Sequence, residues 1–274
     1  MSRIQSYFKS LKESNKKALI PFITAGDPHP SETVKLMHAL VTSGADMIEL
    51  GIPFSDPIAD GPVIQRASER ALKNSVGITS TIKLAAEFRK ENKDTPVILM
   101  GYANPIEAIG IDNFIDLIND AGVDGVITVD YPPEESSVFV SKLRKYDIDS
   151  IFLLSPTTDD DRIKLIVDQA SGFLYYVSVA GITGSKAPEI SSIESKIKTI
   201  RNFTDIPIAV GFGIKTPEQA VNIAKTADAI VVGSAIIDKI NEAYKKDKNN
   251  IKLIADSAAD LVKNLSNALN NYKE

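Results

Sequence analysis

Cysteine is absent from the 274-residue chain, which excludes disulfides, a thiolate nucleophile and zinc held by thiolates. Only two histidines occur, His29 and His38, too few for a multi-histidine metal site. No uninterrupted apolar run approaches the roughly 18 residues that a membrane span needs, and the opening segment MSRIQSYFKSLKESNKKALI lacks the pattern of a signal peptide. No membrane association is expected, and the expected location is cytoplasmic. An excess of positive charge is missing too: 31 Lys and Arg stand against 36 Asp and Glu, for a formal net charge of -5. Without a basic stripe to neutralise phosphates, nucleic acid is not an expected partner. What remains, 43% hydrophobic and 24% charged residues, is the composition of an ordinary globular protein acting on a small molecule or another protein.

Two further absences bear on topology. No GxGxxG motif follows the first apolar run, and no Pro/Ser-rich linker divides the chain, so a single domain over 1–274 is expected. Eight short apolar runs recur: ALIPFIT from Ala18, MIELGI from Met47, PVILMGY from Pro96, GVITVD from Gly125, SIFLLS from Ser150, FLYYVSV from Phe173, IPIAVGFG from Ile206 and AIVVGSAI from Ala229. Each reads as a strand buried on both faces, as in a parallel sheet. Segments with apolar residues three and four apart lie between them, and Ser31, Thr157 and Thr216 are the expected N-caps of three. Eight such units predict an α/β fold of the (β/α)8 TIM barrel type. An extra N-terminal helix, RIQSYFKSLKES, would cap the barrel floor, and a long C-terminal helix, NIKLIADSAADLVKNLSNALNNY, would follow the last unit.

In this fold chemistry lies at the C-terminal ends of the strands. Polar residues placed there are Asp27, Glu49, Asp60, Tyr102, Asn104, Asp130, Ser155, Tyr175 and Ser178. Lysine is not among them, which weakens a Schiff-base reading. Nor do histidines and carboxylates cluster as for a catalytic metal. Glu49 stands out, because an ionised carboxylate inside MIELGI costs several kcal/mol to bury unless it is paired, hydrated or protonated. One reading is a structural carboxylate bonded to backbone amides. The other pairs it with Asp60, one group carrying protons while the second stays ionised. Gly211 to Gly213 after strand seven and Gly233 to Ile236 after strand eight form a candidate phosphate site, where glycine permits close approach and a helix N-terminus favours an anion. The segment VAGITGSKAPEI from Val179 reads either as a closing lid or as a long connection.

Several of these stretches, PFITAGDP, MIELGIPFSDPIADGPVIQRAS, MGYANPI and VAGITG, followed by GFGI and GSAI, closely resemble the alpha subunit of tryptophan synthase across essentially the whole chain. The resemblance implies a carbon–carbon lyase of tryptophan biosynthesis that splits indole-3-glycerol phosphate into indole and glyceraldehyde 3-phosphate, with no cofactor in this chain. By the resemblance, Glu49 is the general acid–base group and Asp60 bonds the indole N–H and stabilises positive charge on the ring. Phe22, Met100, Ile127 and Phe212 would enclose the indole, with Tyr175 near Glu49 and Thr183 reaching Asp60. Gly184, Gly213, Gly233 and Ser234 would hold the phosphate. Pro53, Asp56, Pro57, Asn104 and Pro105 would face a pyridoxal-phosphate-dependent beta subunit in an alpha2-beta2 heterotetramer. Ala103, Met100 and the Val179-Ala180 pair depart from the family's usual residues but leave Glu49 and Asp60 in place. The competing readings are a barrel that serves mainly as a regulatory binding partner of the beta subunit, and another phosphosugar lyase.

Overall fold

The computed structural model describes residues 1–178, 190–211, 213–248 and 250–272. Among them, eight parallel strands pair in chain order and close on themselves, the first beside the eighth. They are β1 (Ala18–Thr24), β2 (Ile48–Gly51), β3 (Val97–Gly101), β4 (Gly125–Thr128), β5 (Asp149–Leu154), β6 (Leu174–Val177), β7 (Ile208–Gly211) and β8 (Ala229–Val232). Around them run α1 (Arg3–Glu13), α2 (Pro30–Thr42), α3 (Pro62–Lys73), α4 (Ile78–Glu91), α5 (Ala103–Ile109) and α6 (Ile111–Asp120). The second half adds α7 (Ser137–Arg144), α8 (Asp160–Gln169), α9 (Ile190–Arg201), α10 (Pro217–Ala224), α11 (Ser234–Lys246) and α12 (Ile251–Asn271). This is the (β/α)8 barrel expected from the sequence, with its extra N-terminal helix and long C-terminal helix.

Strand side chains alternate across the sheet, so the apolar runs serve two cores at once. In β1, Ala18 and Ile20 point into the barrel while Leu19 and Ile23 pack outward against the helical shell. The interior is filled by branched residues such as Ile98, Ile127 and Ile151 and is closed from below by Ile4, Phe8 and Leu11 of α1. Spacing of four and three puts those three residues on one helix face, and the Phe8 ring meets Phe173 at 5.8 Å. Gly125 makes room for the plug, since a Cβ there would stand 2.9 Å from Cδ1 of both Ile4 and Ile151.

Polar clamps hold α1 in place. Ser2 caps it in a capping box with Gln5 and donates its hydroxyl to Asp149. Arg3 bonds Asp124, which also accepts from Val97 N–H and from buried Arg89, both at 2.8 Å. Arg89 in turn donates to the carbonyls of Gly122, Asn92 and Thr95. Removing Asp124 leaves a buried guanidinium without its counter-charge, which costs about 3–5 kcal/mol. Asp124→Ala is therefore expected to unfold at clearly lower denaturant than wild type; an unchanged urea midpoint would refute the clamp.

Details differ from the sequence expectation. Thr216 caps α10 as expected, but α2 is capped by His29 and α8 by Asp159 rather than by Ser31 and Thr157. Pro30, with φ preset for a helix and no N–H to satisfy, opens α2 one residue before Ser31. Thr157 instead joins a hydroxyl cluster with Ser155 and Thr158, and Asp159 accepts from Arg162 N–H at 2.8 Å. The short α5 was not anticipated, because its seven residues are too few to display a helical period. The proposed lid from Val179, with Thr183 and Gly184, lies outside the described residues, as does Phe212.

Candidate active site

A cavity of about 440 Å³ opens at the C-terminal end of the barrel and brings together residues from all eight of its strands or the loops that follow them. Its size is typical of small-molecule sites. Glu49 and Asp60 both line it, with Phe22, Met100 and Tyr175 on its walls and Gly213, Gly233 and Ser234 at another side. Ile127 does not reach it. Inward positions repeat every second residue, so Ile127 belongs to the barrel interior and Val129, two residues on, lines the cavity instead.

Glu49 sits on β2 between Phe22 of β1 and Ile98 of β3. Its exposure is 0%, and neither carboxyl oxygen has a hydrogen-bond partner among the described residues. A structural carboxylate satisfied by backbone amides would show those bonds, so that reading is overturned. Burial, and then the charge of Asp60, push the Glu49 carboxyl up to about 8. Asp60 follows β2 in a turn closed by Asp60 N–H to Pro57 carbonyl at 3.0 Å and by Gln65, whose amide donates to the Asp60 carbonyl at 2.9 Å. Burial pushes its carboxyl up to about 6, less far than Glu49, because the Tyr102 hydroxyl bonds to it and favours the ionised form. That hydroxyl also accepts from Ala59 N–H at 3.1 Å. At neutral pH the two carboxyls hold different states, Glu49 protonated and Asp60 ionised.

Two aromatic walls depend on glycine. The Phe22 ring covers Gly51, where a Cβ would come within 2.6 Å of it, and Tyr175 lies over Gly211, where a Cβ would come within 2.3 Å of its hydroxyl. Burial, then the charges of Glu49 and Asp60, keep the Tyr175 phenol neutral far above physiological pH.

The two glycine-bearing helix starts differ. α10 satisfies its own amides through the Thr216/Gln219 capping box. α11 begins after Gly233, which offers no side-chain cap, and Ile236 and Ile237 N–H turn back to the Gly233 carbonyl at 2.9 and 3.1 Å. The amides of Ser234 and Ala235 are left at the cavity edge, the arrangement that suits an anion. Gly213, with φ +79° and open space where a Cβ would be, adds an unobstructed backbone opposite. Among the described residues no three His, Asp or Glu side chains converge as a metal site, and no helix is long and apolar enough to cross a membrane.

Sequence reasoning passed over several wall residues. Tyr102 was noted at a strand end without its tie to Asp60, although its place after β3 pointed toward the same mouth. Arg162 and Lys215 also line the cavity; nothing in a helix-interior arginine or a loop lysine marked them. Of the expected partner surface, Asp56 and Asn104 are exposed and Pro57 and Pro105 half-buried, but Pro53 is buried. Ile58, unremarked in the sequence, is 82% exposed.

Comparison with known proteins agrees with this geometry. Residues 8–268 match the family model of the tryptophan synthase alpha chain. The tryptophan synthase alpha chain of Methylococcus capsulatus is 52% identical over 259 residues, covering 94% of this chain and 97% of the relative. That of Nitrosomonas europaea is 52% identical over 247 residues, covering 90% of each. The crystal structure of tryptophan synthase subunit alpha from Legionella pneumophila superposes with a TM-score of 0.92 at 45% identity, covering 99% of this chain and 100% of that one. With the paired carboxylates and the open helix start in one barrel mouth, these matches establish that the chain belongs to the tryptophan synthase alpha chain family, lyases that split indole-3-glycerol phosphate into indole and glyceraldehyde 3-phosphate.

Proposed function

We propose that Glu49 and Asp60 carry out this cleavage as a general acid–base group and a fixed negative charge. A bare indole carbanion is a poor leaving group, so the ring must first be protonated at the carbon that bears the side chain. Glu49, protonated at neutral pH, supplies that proton. Asp60 accepts a hydrogen bond from the indole N–H and stabilises the positive charge that develops on the ring. The carboxylate left on Glu49 then takes the proton from the side-chain hydroxyl next to the bond that breaks. The electron pair of the carbon–carbon bond returns to the ring, and indole and the aldehyde separate as in a retro-aldol reaction.

Phe22, Met100 and Tyr175 supply the apolar walls for the indole, while Gly213, Gly233 and Ser234, with the neighbouring Ala235 amide, hold the phosphate. Thr183, Gly184 and Phe212 complete this reading from the sequence. The observation that carries it is the pair of carboxyls lining one cavity, with Glu49 fully buried and without a hydrogen-bond partner among the described residues. A barrel kept only for regulation would have no need to bury an unpartnered Glu49 at this cost.

The test is indole release from indole-3-glycerol phosphate. The profile of kcat/KM against pH is expected to be bell-shaped: activity rises as Asp60 ionises through about 6 and falls as Glu49 loses its proton through about 8. Asp60→Asn should lower kcat on the order of 10²- to 10³-fold and erase the acid limb, since the group that must ionise is gone. A surviving acid limb in that variant would refute the role given to Asp60.

We further propose that Asp56, Pro57, Ile58, Asn104 and Pro105 form the face toward the beta subunit in an alpha2-beta2 heterotetramer in the cytoplasm, with pyridoxal phosphate held by the beta subunit. An exposed isoleucine beside Pro57 and Phe54 supports this, as apolar groups at a protein surface mark interaction sites when clustered. Buried Pro53 then acts as the rigid base of the loop.

A further inference from the structure

Beside Asp60, adjoining the main cavity along Phe22, Ile64, Met100 and Val129, lies a second and far smaller space of about 10 Å³. Thr24, Asp60, Ser68 and Tyr102 form its polar side. Thr24 ends β1 with 2% exposure, and its hydroxyl oxygen has no hydrogen-bond partner among the described residues. A buried donor left unpaired is costly, yet this one sits at the edge of a space shared with a carboxylate. A volume of this size accommodates one water and nothing larger, provided that polar partners surround it. These are the two conditions for a structural water, and both meet beside Asp60.

We infer that this space is a single-water site and that Thr24 is a positioning residue for Asp60, acting through that water. The Thr24 hydroxyl donates to the water, and the water donates to the Asp60 carboxylate. Asp60 then receives support from the water as well as from Tyr102. The groups facing Asp60 are the Tyr102 hydroxyl at the start of α5, the Glu49 carboxyl on β2 and Tyr175 on β6. Thr24 on β1 and Ser68 on α3 adjoin it through the small space. Of these, the water and Tyr102 favour the anion, while Glu49 still holds its proton where Asp60 titrates. The inference rests on the reading of Asp60 as the charge that meets the indole ring.

Thr24→Val removes the hydroxyl at constant shape, and Thr24→Ser keeps it. In the valine variant the Asp60 titration, followed directly by carbon NMR of ¹³C-aspartate-labelled protein, is expected to move up by about one pH unit, the equivalent of one hydrogen bond to a charged group. The acid limb of kcat/KM should move with it, giving about a fivefold loss at pH 6, and serine should restore both. A crystal structure should show the water in wild type and in Thr24→Ser and lack it in Thr24→Val. An Asp60 titration unmoved by valine, or a serine variant that behaves as valine does, overturns the proposal. The NMR measurement needs no turnover, so it distinguishes this failure from failure of the catalytic reading, which would show as full activity in Asp60→Asn.

Discussion

Glu49→Gln is expected to stop indole release almost completely while making the protein harder to unfold. The loss of activity follows from the chemistry: glutamine can neither give up a proton to the ring nor take one from the hydroxyl. General acid–base groups contribute on the order of 10²- to 10⁴-fold, and here one group performs both transfers, so the upper part of that range applies. The gain in stability follows from burial. A carboxyl whose ordinary value is 4.5 is pushed up to about 8 in the fold. Below 4.5 both folded and unfolded chains hold the proton and the residue costs nothing. Between 4.5 and 8 only the folded chain holds it, so stability falls as pH rises, and above 8 the full cost of a buried charge is present. That cost is on the order of 3–5 kcal/mol. Glutamine removes it, and melting temperature should rise by several degrees at pH 8 and scarcely at all at pH 4. Equal differences at both pH values would show that burial of charge is not the cause. Retention of ordinary turnover by the purified variant would remove Glu49 from the reaction.

The second large effect is expected at a residue with no side chain. In Gly211→Ala the new methyl would stand 2.3 Å from the Tyr175 hydroxyl and 2.5 Å from its ring. Tyr175, half-buried at the cavity wall, lies between this glycine and the two carboxyls, so it yields into the cavity and toward Glu49. Misplacement of about 1 Å near reacting groups costs on the order of 10²-fold in rate, and overpacking of this kind costs about 1–3 kcal/mol in stability. We expect kcat/KM to fall by that factor with the fold intact. Tyr175→Leu removes the clashing atoms, so in that background Gly211→Ala should cost much less. Equal costs in the two backgrounds would place the strain elsewhere.

The two predictions differ in how far the sequence reveals them. A glutamate within MIELGI is conspicuous, because the apolar period leaves no polar slot there, and its place on the second strand puts it at the barrel mouth. Eight apolar runs separated by helical periods were enough to count the units, and the amphipathic first helix announced a cap on the barrel floor. Gly211 was legible only as a glycine-bearing loop suited to phosphate. That it yields to Tyr175 depends on a contact between neighbouring strands, which spacing along the chain does not record. Ile127 shows the same limit: its residue type suits an indole pocket, yet the pleat and the closure of the barrel place it below the cavity and Val129 at its wall. Capping was misread where a proline or a hydroxyl cluster shifted the helix start by one or two residues, since several candidate caps stood side by side.

The order of elements, the barrel closure and the identity of the two carboxylates were determined by the sequence itself, through periodicity, glycine placement and a charge where none belongs. The distinct duties we propose for them were decided by the tertiary structure. Glu49 and Asp60 are both carboxylates and eleven positions apart. Only the fold buries the first without a hydrogen-bond partner among the described residues and turns the second toward the Tyr102 hydroxyl, and a pKa depends on the surroundings of a group rather than on its place along the chain.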